Sequence, residues 1–122
     1  MKRMLLLVAS LAGLVVSSPA WADSRDFNLT NATGYAIKAV YMDTTASRVW
    51  GYPSEIDTPL QNGETVRIAF GRSDGKACMW DLRVTWVDGS PDDIWTGINV
   101  CTVSNIKLFY DRATDVTTAE MD

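Results

Sequence analysis

The sequence predicts an all-β chain folded as a small antiparallel β-sandwich of about six or seven strands with one disulfide, a small β-barrel being the alternative arrangement. Three observations carry this. Beyond residue 22 the apolar residues recur at every second position, the period of a strand with one face buried. No stretch there keeps helical spacing over three turns, so no helix is long enough for a βαβ crossover. Turn formers (Gly, Pro, Asn, Asp) separate the alternating runs, and no repeat or linker divides them.

The N-terminal segment stands apart from this pattern. Lys2 and Arg3 precede an apolar run of 13 residues, 4–16, followed by Ser17, Ser18, Pro19 and the small-x-small triplet Ala20-Trp21-Ala22. This is the layout of a secretory signal, and its apolar run is short of the roughly 20 residues a membrane-spanning helix needs. Residues 1–22 are therefore expected to be cleaved, leaving residues 23–122 as a single periplasmic or secreted domain that is not membrane-embedded. Loss of Lys2 and Arg3 leaves nine basic residues against 15 acidic ones, so the net charge moves from −4 to −6.

The first strand holds Phe27 and Leu29 on one face, and residues 31–34 turn the chain at Gly34. Residues 35–42 form the next strand, expected to pair with the first as a hairpin, with Tyr35, Ile37, Ala39 and Tyr41 on one face and Lys38 towards water on the other. Residues 43–63 break the alternation and read as a long loop. It carries Trp50 and Tyr52, which either form a binding surface or, for Trp50, fold back over one end of the core. Residues 64–70 resume strand character with Val66, Ile68 and Phe70 inward and Arg67 outward, and residues 71–75 turn again.

The clearest strand is 77–87, where Cys78, Trp80, Leu82, Val84 and Trp86 share the core face and Asp81 falls on the exterior. Asp88-Gly89 is a strong hairpin signal, extended by Ser90, Pro91, Asp92 and Asp93 before a returning strand at 94–103. With residues 88 and 91 flanking a two-residue turn, opposed positions sum to 179 and Cys78 faces Cys101; a four- or five-residue turn at Pro91 would shift that register. Residues 104–110 make a last strand with Ile106, Leu108 and Tyr110 inward, and the polar residues 111–122 are expected to fray.

Cys78 and Cys101 are the only cysteines; an exported chain with an even number is expected to join them. The two are too far apart in sequence for a Cys-x-x-Cys redox pair.

The inventory excludes most catalysis. There is no histidine, hence no Ser-His-Asp triad, Cys-His pair or histidine metal site, and no Gly-rich phosphate loop. No catalytic residue and no cofactor is assigned, and the chain is read as not an enzyme. Asp88, Asp92 and Asp93 gather oxygen donors of the kind calcium takes on one hairpin tip, but the spacing matches no EF-hand and solvated turn acids are the commoner arrangement. The acidic balance argues against nucleic acid and anionic membrane as partners and is compatible with a basic protein partner. Trp86 and Trp95 flank the acidic tip, where with Trp50 they would make an aromatic surface suited to sugar stacking or to a protein interface.

The segments Phe27-Asn28-Leu29-Thr30-Asn31-Ala32-Thr33-Gly34-Tyr35, Cys78-Met79-Trp80-Asp81-Leu82-Arg83-Val84 and Gly97-Ile98-Asn99-Val100-Cys101 resemble a family of small exported bacterial proteins of unknown function. In that family F-x-L-x-N-x-T-G, C-x-W-D-L-x-V and G-x-N-x-C recur. The resemblance covers nearly all of residues 23–122 and implies a Gram-negative periplasmic setting without catalytic residues. Some relatives carry the label argininosuccinate lyase, an enzyme whose bulk and acid/base groups a histidine-free β domain lacks.

The functional expectation is therefore a non-catalytic envelope module that contacts another protein through the long loop and the acidic tip, as an inhibitor of a basic envelope-directed enzyme would. The alternative is a carbohydrate-binding domain using Trp50, Trp86 and Trp95.

Overall fold

The computed structural model describes residues 24–47, 49–70 and 75–122; residues 1–22, expected as a signal segment, and residues 71–74 of the expected turn lie outside them. Seven strands are present among the described residues: β1 (Phe27–Ala32), β2 (Ile37–Thr44), β3 (Thr65–Ile68), β4 (Met79–Trp86), β5 (Asp93–Asn99), β6 (Asn105–Asp111) and β7 (Val116–Met121). They form two sheets, β3-β1-β6-β7 and β2-β4-β5, that are not closed into a barrel.

One core lies between the sheets. Phe27, Leu29, Ile68, Phe70, Ile106 and Leu108 from the four-stranded side meet Ile37, Val40, Met42, Trp80, Leu82, Val84 and Ile98 from the three-stranded side. At its centre the Phe70 ring stands edge-on to Trp80 with centroids 4.9 Å apart, and the Trp80 indole N–H donates to the Ala77 carbonyl at 2.8 Å, so the largest buried side chain leaves no orphan donor.

The expected hairpin between the first two strands does not form. β1 pairs antiparallel with β3 and parallel with β6, while β2 pairs with β4 in the other sheet, so the sandwich is not purely antiparallel. The cause is a corner built on Asn31, which is fully buried. Its amide donates to the carbonyls of Tyr35 (2.7 Å) and Leu60 (2.9 Å), and its carbonyl oxygen accepts from the Thr33 amide and hydroxyl. These bonds satisfy the backbone where it leaves one sheet for the other, with Gly34 at φ 89° completing the bend.

A bulge between Ile37 and Ala39 changes the phase of β2. Ile37, Val40 and Met42 are the fully buried residues and Tyr41 turns outward, in place of the single face through Tyr35, Ile37, Ala39 and Tyr41. The free edge of β2 is covered by the long loop, through the Ile37–Leu60 bridge and a Glu55 amide bond to the Val40 carbonyl.

The β4–β5 register also departs from expectation. Met79 faces Asn99 and Val84 faces Asp93, with an irregularity between Trp80 and Leu82, so opposed positions sum to 178 and then 177 rather than 179. β5 ends at Asn99, whose carbonyl accepts from the amides of Thr102 and Val103 in a turn. Cys78 and Cys101 are nevertheless joined, just beyond the paired strands, with Cα atoms 5.2 Å apart. The Val100 amide donates to the Cys78 carbonyl beside them.

The C-terminal residues are a strand rather than a frayed tail. β7 pairs with β6 from Asp111↔Val116 to Ile106↔Met121, and Asp122 exchanges backbone bonds with Asn105. Asp115, at φ 56°, makes the turn between them. An edge strand with polar residues on both faces shows no apolar alternation, which is why composition alone reads it as loose.

Candidate functional site

At the end of the sandwich that carries the β4–β5 hairpin, residues from four separate stretches enclose an open cleft of about 280 Å³. Trp86 closes β4 and is only 7% exposed; its ring belongs to the core and its indole N–H donates to Asp93 Oδ2 at 2.9 Å. Asp93, the first residue of β5, also accepts from the Thr117 hydroxyl of β7 at 2.7 Å, a bond from one sheet to the other. Tyr110, near the end of β6, donates its hydroxyl to Asp115 at 2.7 Å, and Tyr35 stands edge-on to its ring with centroids 5.6 Å apart. Asp88, Ser90, Pro91 and Asp92 supply the hairpin wall.

Among the described residues the cleft is thus lined by four carboxylates (Asp88, Asp92, Asp93, Asp115) and two tyrosines, with no Lys or Arg. Two of these groups titrate away from their ordinary values. The Ser90 hydroxyl and amide hold Asp88 below the usual carboxylate range, because both hydrogen bonds favour the charged form. Donation to Asp115 pushes the Tyr110 phenol up, desolvation and the Asp115 charge adding to the rise and Arg112 nearby opposing it.

Asp92 links the cleft to the outer face of the β2-β4-β5 sheet. Its Oδ2 accepts from Arg83 Nε (3.0 Å) and pairs with Nη2 (2.9 Å). The Arg83 guanidinium lies over the rings of Tyr41, at 5.1 Å, and Trp50, at 5.8 Å. Trp50 is therefore half-buried on that outer face, where the guanidinium covers it, and it does not cap the core. Its φ of 53° is held by Asp43 Oδ2, which accepts from the amides of Val49 and Trp50 at 2.7 and 2.9 Å, filling the concavity that successive N–H groups make in such a turn.

Asp43 is itself 3% exposed and faces Asp81 across the β2–β4 pair. Asp81 is fully buried, contrary to its expected exterior position: its Oδ1 accepts from the hydroxyl of Thr45, just after β2, and from the Gly97 amide of β5.

Asp88, Asp92 and Asp93 converge on one cleft, as their shared hairpin implies, but each serves a different partner. Among the described residues no three His, Cys, Asp or Glu side chains gather as a metal site. The three tryptophans do not form one aromatic surface. Trp86 is in the core, Trp95 packs against the core from the inner face of edge strand β5, and Trp50 stands on the opposite face. Tyr52 is exposed on the long loop. Cys78 and Cys101 are held in their disulfide.

Sequence reasoning missed Tyr35, Tyr110, Asp115 and Thr117 as members of the cleft, and Asp43 and Arg83 as the supports of Trp50. A local motif could have found none of the first four, since only strand order brings them together. Asp43 carried one faint signal, an acidic residue at the strand end where a loop begins. No family model, curated protein or solved structure matches this chain.

Proposed function

We propose that the chain is a non-catalytic binding module of the periplasm or of the secreted proteins, and that its acidic, tyrosine-walled end cleft is the surface that meets a basic protein partner. The observation that supports this most directly is the cleft lining, in which four carboxylates stand beside two tyrosine rings without a basic residue among the described lining residues. Of these four carboxylates only Asp92 has an ion-pair partner among the described residues, so Asp88, Asp93 and Asp115 add negative potential at one pole of a domain whose net charge is already acidic. Such a pole steers a cationic surface towards itself and gives specificity through charge matching. An envelope-directed basic enzyme, a lysozyme for example, is a partner class with the right charge, and occlusion of its site would make this chain its inhibitor.

The test is a titration of residues 23–122, oxidised, against a panel of basic hydrolases, reading both complex formation and residual hydrolytic activity at low and high salt. A complex that weakens steeply with salt and is lost in Asp93→Asn/Asp115→Asn supports the reading. Absence of any complex across the panel, or a complex insensitive both to salt and to the double substitution, overturns it.

A further inference from the structure

We infer that the end cleft is an arginine-anchor pocket, one that takes a single guanidinium side chain from the partner protein; this deepens the proposed binding role and rests on it. The molecule already shows how its surface holds that group. On one side of Asp92, the Arg83 guanidinium lies over Tyr41 and Trp50 while its Nε and Nη2 both reach the carboxylate at 3.0 and 2.9 Å. The cleft, which Asp92 also lines, repeats the same components, tyrosine rings beside carboxylates, with no guanidinium among its described lining residues.

Three physical arguments select arginine among cations. Guanidinium is planar, so it lies against an aromatic face while its edge donates to carboxylates, and Tyr35, Tyr110, Asp93 and Asp115 supply both kinds of neighbour within one cleft. Asp93 and Asp115 each already accept a hydroxyl bond, from Thr117 and Tyr110, which fixes their orientation before any ligand arrives. The volume of about 280 Å³ lies just below the range of about 300–1,000 Å³ typical of sites for whole small molecules, and so suits one side chain anchored from a larger surface. Arg112 stands near enough to Tyr110 to influence it but is not part of the lining.

The occupant is thus an arginine presented on a partner protein. The experiment uses residues 23–122 labelled for two-dimensional NMR, titrated with a short capped peptide carrying one arginine and with its lysine and citrulline counterparts. The expected result is saturable shifts confined to the amides around Tyr35, Ser90, Asp93, Tyr110 and Asp115, with the lysine peptide weaker by about tenfold and the citrulline peptide silent. Asp115→Asn, which keeps a residue tolerant of positive φ at the turn, is expected to weaken the arginine peptide by about tenfold while leaving the rest of the spectrum unchanged.

Equal shifts with all three peptides, or shifts centred away from the cleft, overturn the arginine assignment. If a basic hydrolase binds in a salt-dependent manner but arginine peptides leave the cleft unshifted, the binding role stands and the anchor fails. If the arginine peptide binds in the cleft and no basic hydrolase does, the anchor stands and that partner class fails.

Discussion

Removing the disulfide tests how much of this small domain's stability comes from restricting its unfolded chain. In Cys78→Ala/Cys101→Ala the folded state loses little, because Met79↔Asn99 pairing and the Val100-to-Cys78 backbone bond hold the same two segments together beside the bridge. The unfolded state gains the freedom of a loop that spans a sequence separation of 23, or 24 residues inclusively. In the chain-entropy account that loop is worth about 11.6 cal/mol/K, or about 3.4 kcal/mol at 25 °C. For a domain of about 100 residues this corresponds to a fall in Tm of about 15–25 °C, a large part of a total stability of about 5–15 kcal/mol. Differential scanning calorimetry of the oxidised chain, the double variant and the chemically reduced chain measures it, with a thiol count confirming each state. The variant and the reduced chain are expected to melt together. A fall of less than about 5 °C in both, with unfolding still cooperative, would refute the reasoning.

Three further outcomes follow from the same structure. Asn31→Ala leaves the buried Thr33 amide without its acceptor, while the Tyr35 and Leu60 carbonyls each lose one donor and keep the Thr33 hydroxyl and the Ile37 amide, and is expected to cost about 1–3 kcal/mol in urea unfolding; a loss under about 0.5 kcal/mol would show that the corner is held by other contacts. Asp43→Ala removes the acceptor of the Thr44, Val49 and Trp50 amides, so those amides should exchange faster with solvent and Trp50 emission should shift towards the red, while Asn31 and its neighbours keep their protection. Ultraviolet titration should find a tyrosine that ionises above the ordinary phenol range, and Asp115→Gly, which suits the positive φ there, should bring it back down. Because the Tyr110 phenol is raised in the folded state, its contribution to stability is fully present below the unfolded value near 10 and is lost as pH rises through the folded one; an unchanged titration in the variant would exclude the Tyr110–Asp115 bond as the cause.

The sequence by itself determined the fold class, the core and the disulfide partners. Period-2 alternation is a local property of a half-buried strand, so Leu29, Trp80, Leu82, Val84, Ile106 and Leu108 were legible as core without any knowledge of their neighbours. Two cysteines in a chain read as exported admit one pairing, and the bond forms even though the register that suggested it is offset by one or two positions. Strand order and direction were decided only by tertiary structure. Alternation is the same whichever strand lies alongside, so nothing in Phe27–Ala32 announces that its partners are β3 and, in parallel, β6.

The same limit governs the candidate site. The acidic hairpin was visible because Asp88, Asp92 and Asp93 are neighbours in sequence, whereas Tyr35, Tyr110 and Asp115 join them only once β7 pairs with β6 and the two sheets close over each other. Burial of a polar group is likewise a tertiary outcome: Asp81 alternates outward as its sequence requires, yet it is fully buried, its carboxylate accepting from Thr45 and Gly97. Local pattern specifies which way a side chain leaves its strand, but what it meets there depends on segments far away along the chain.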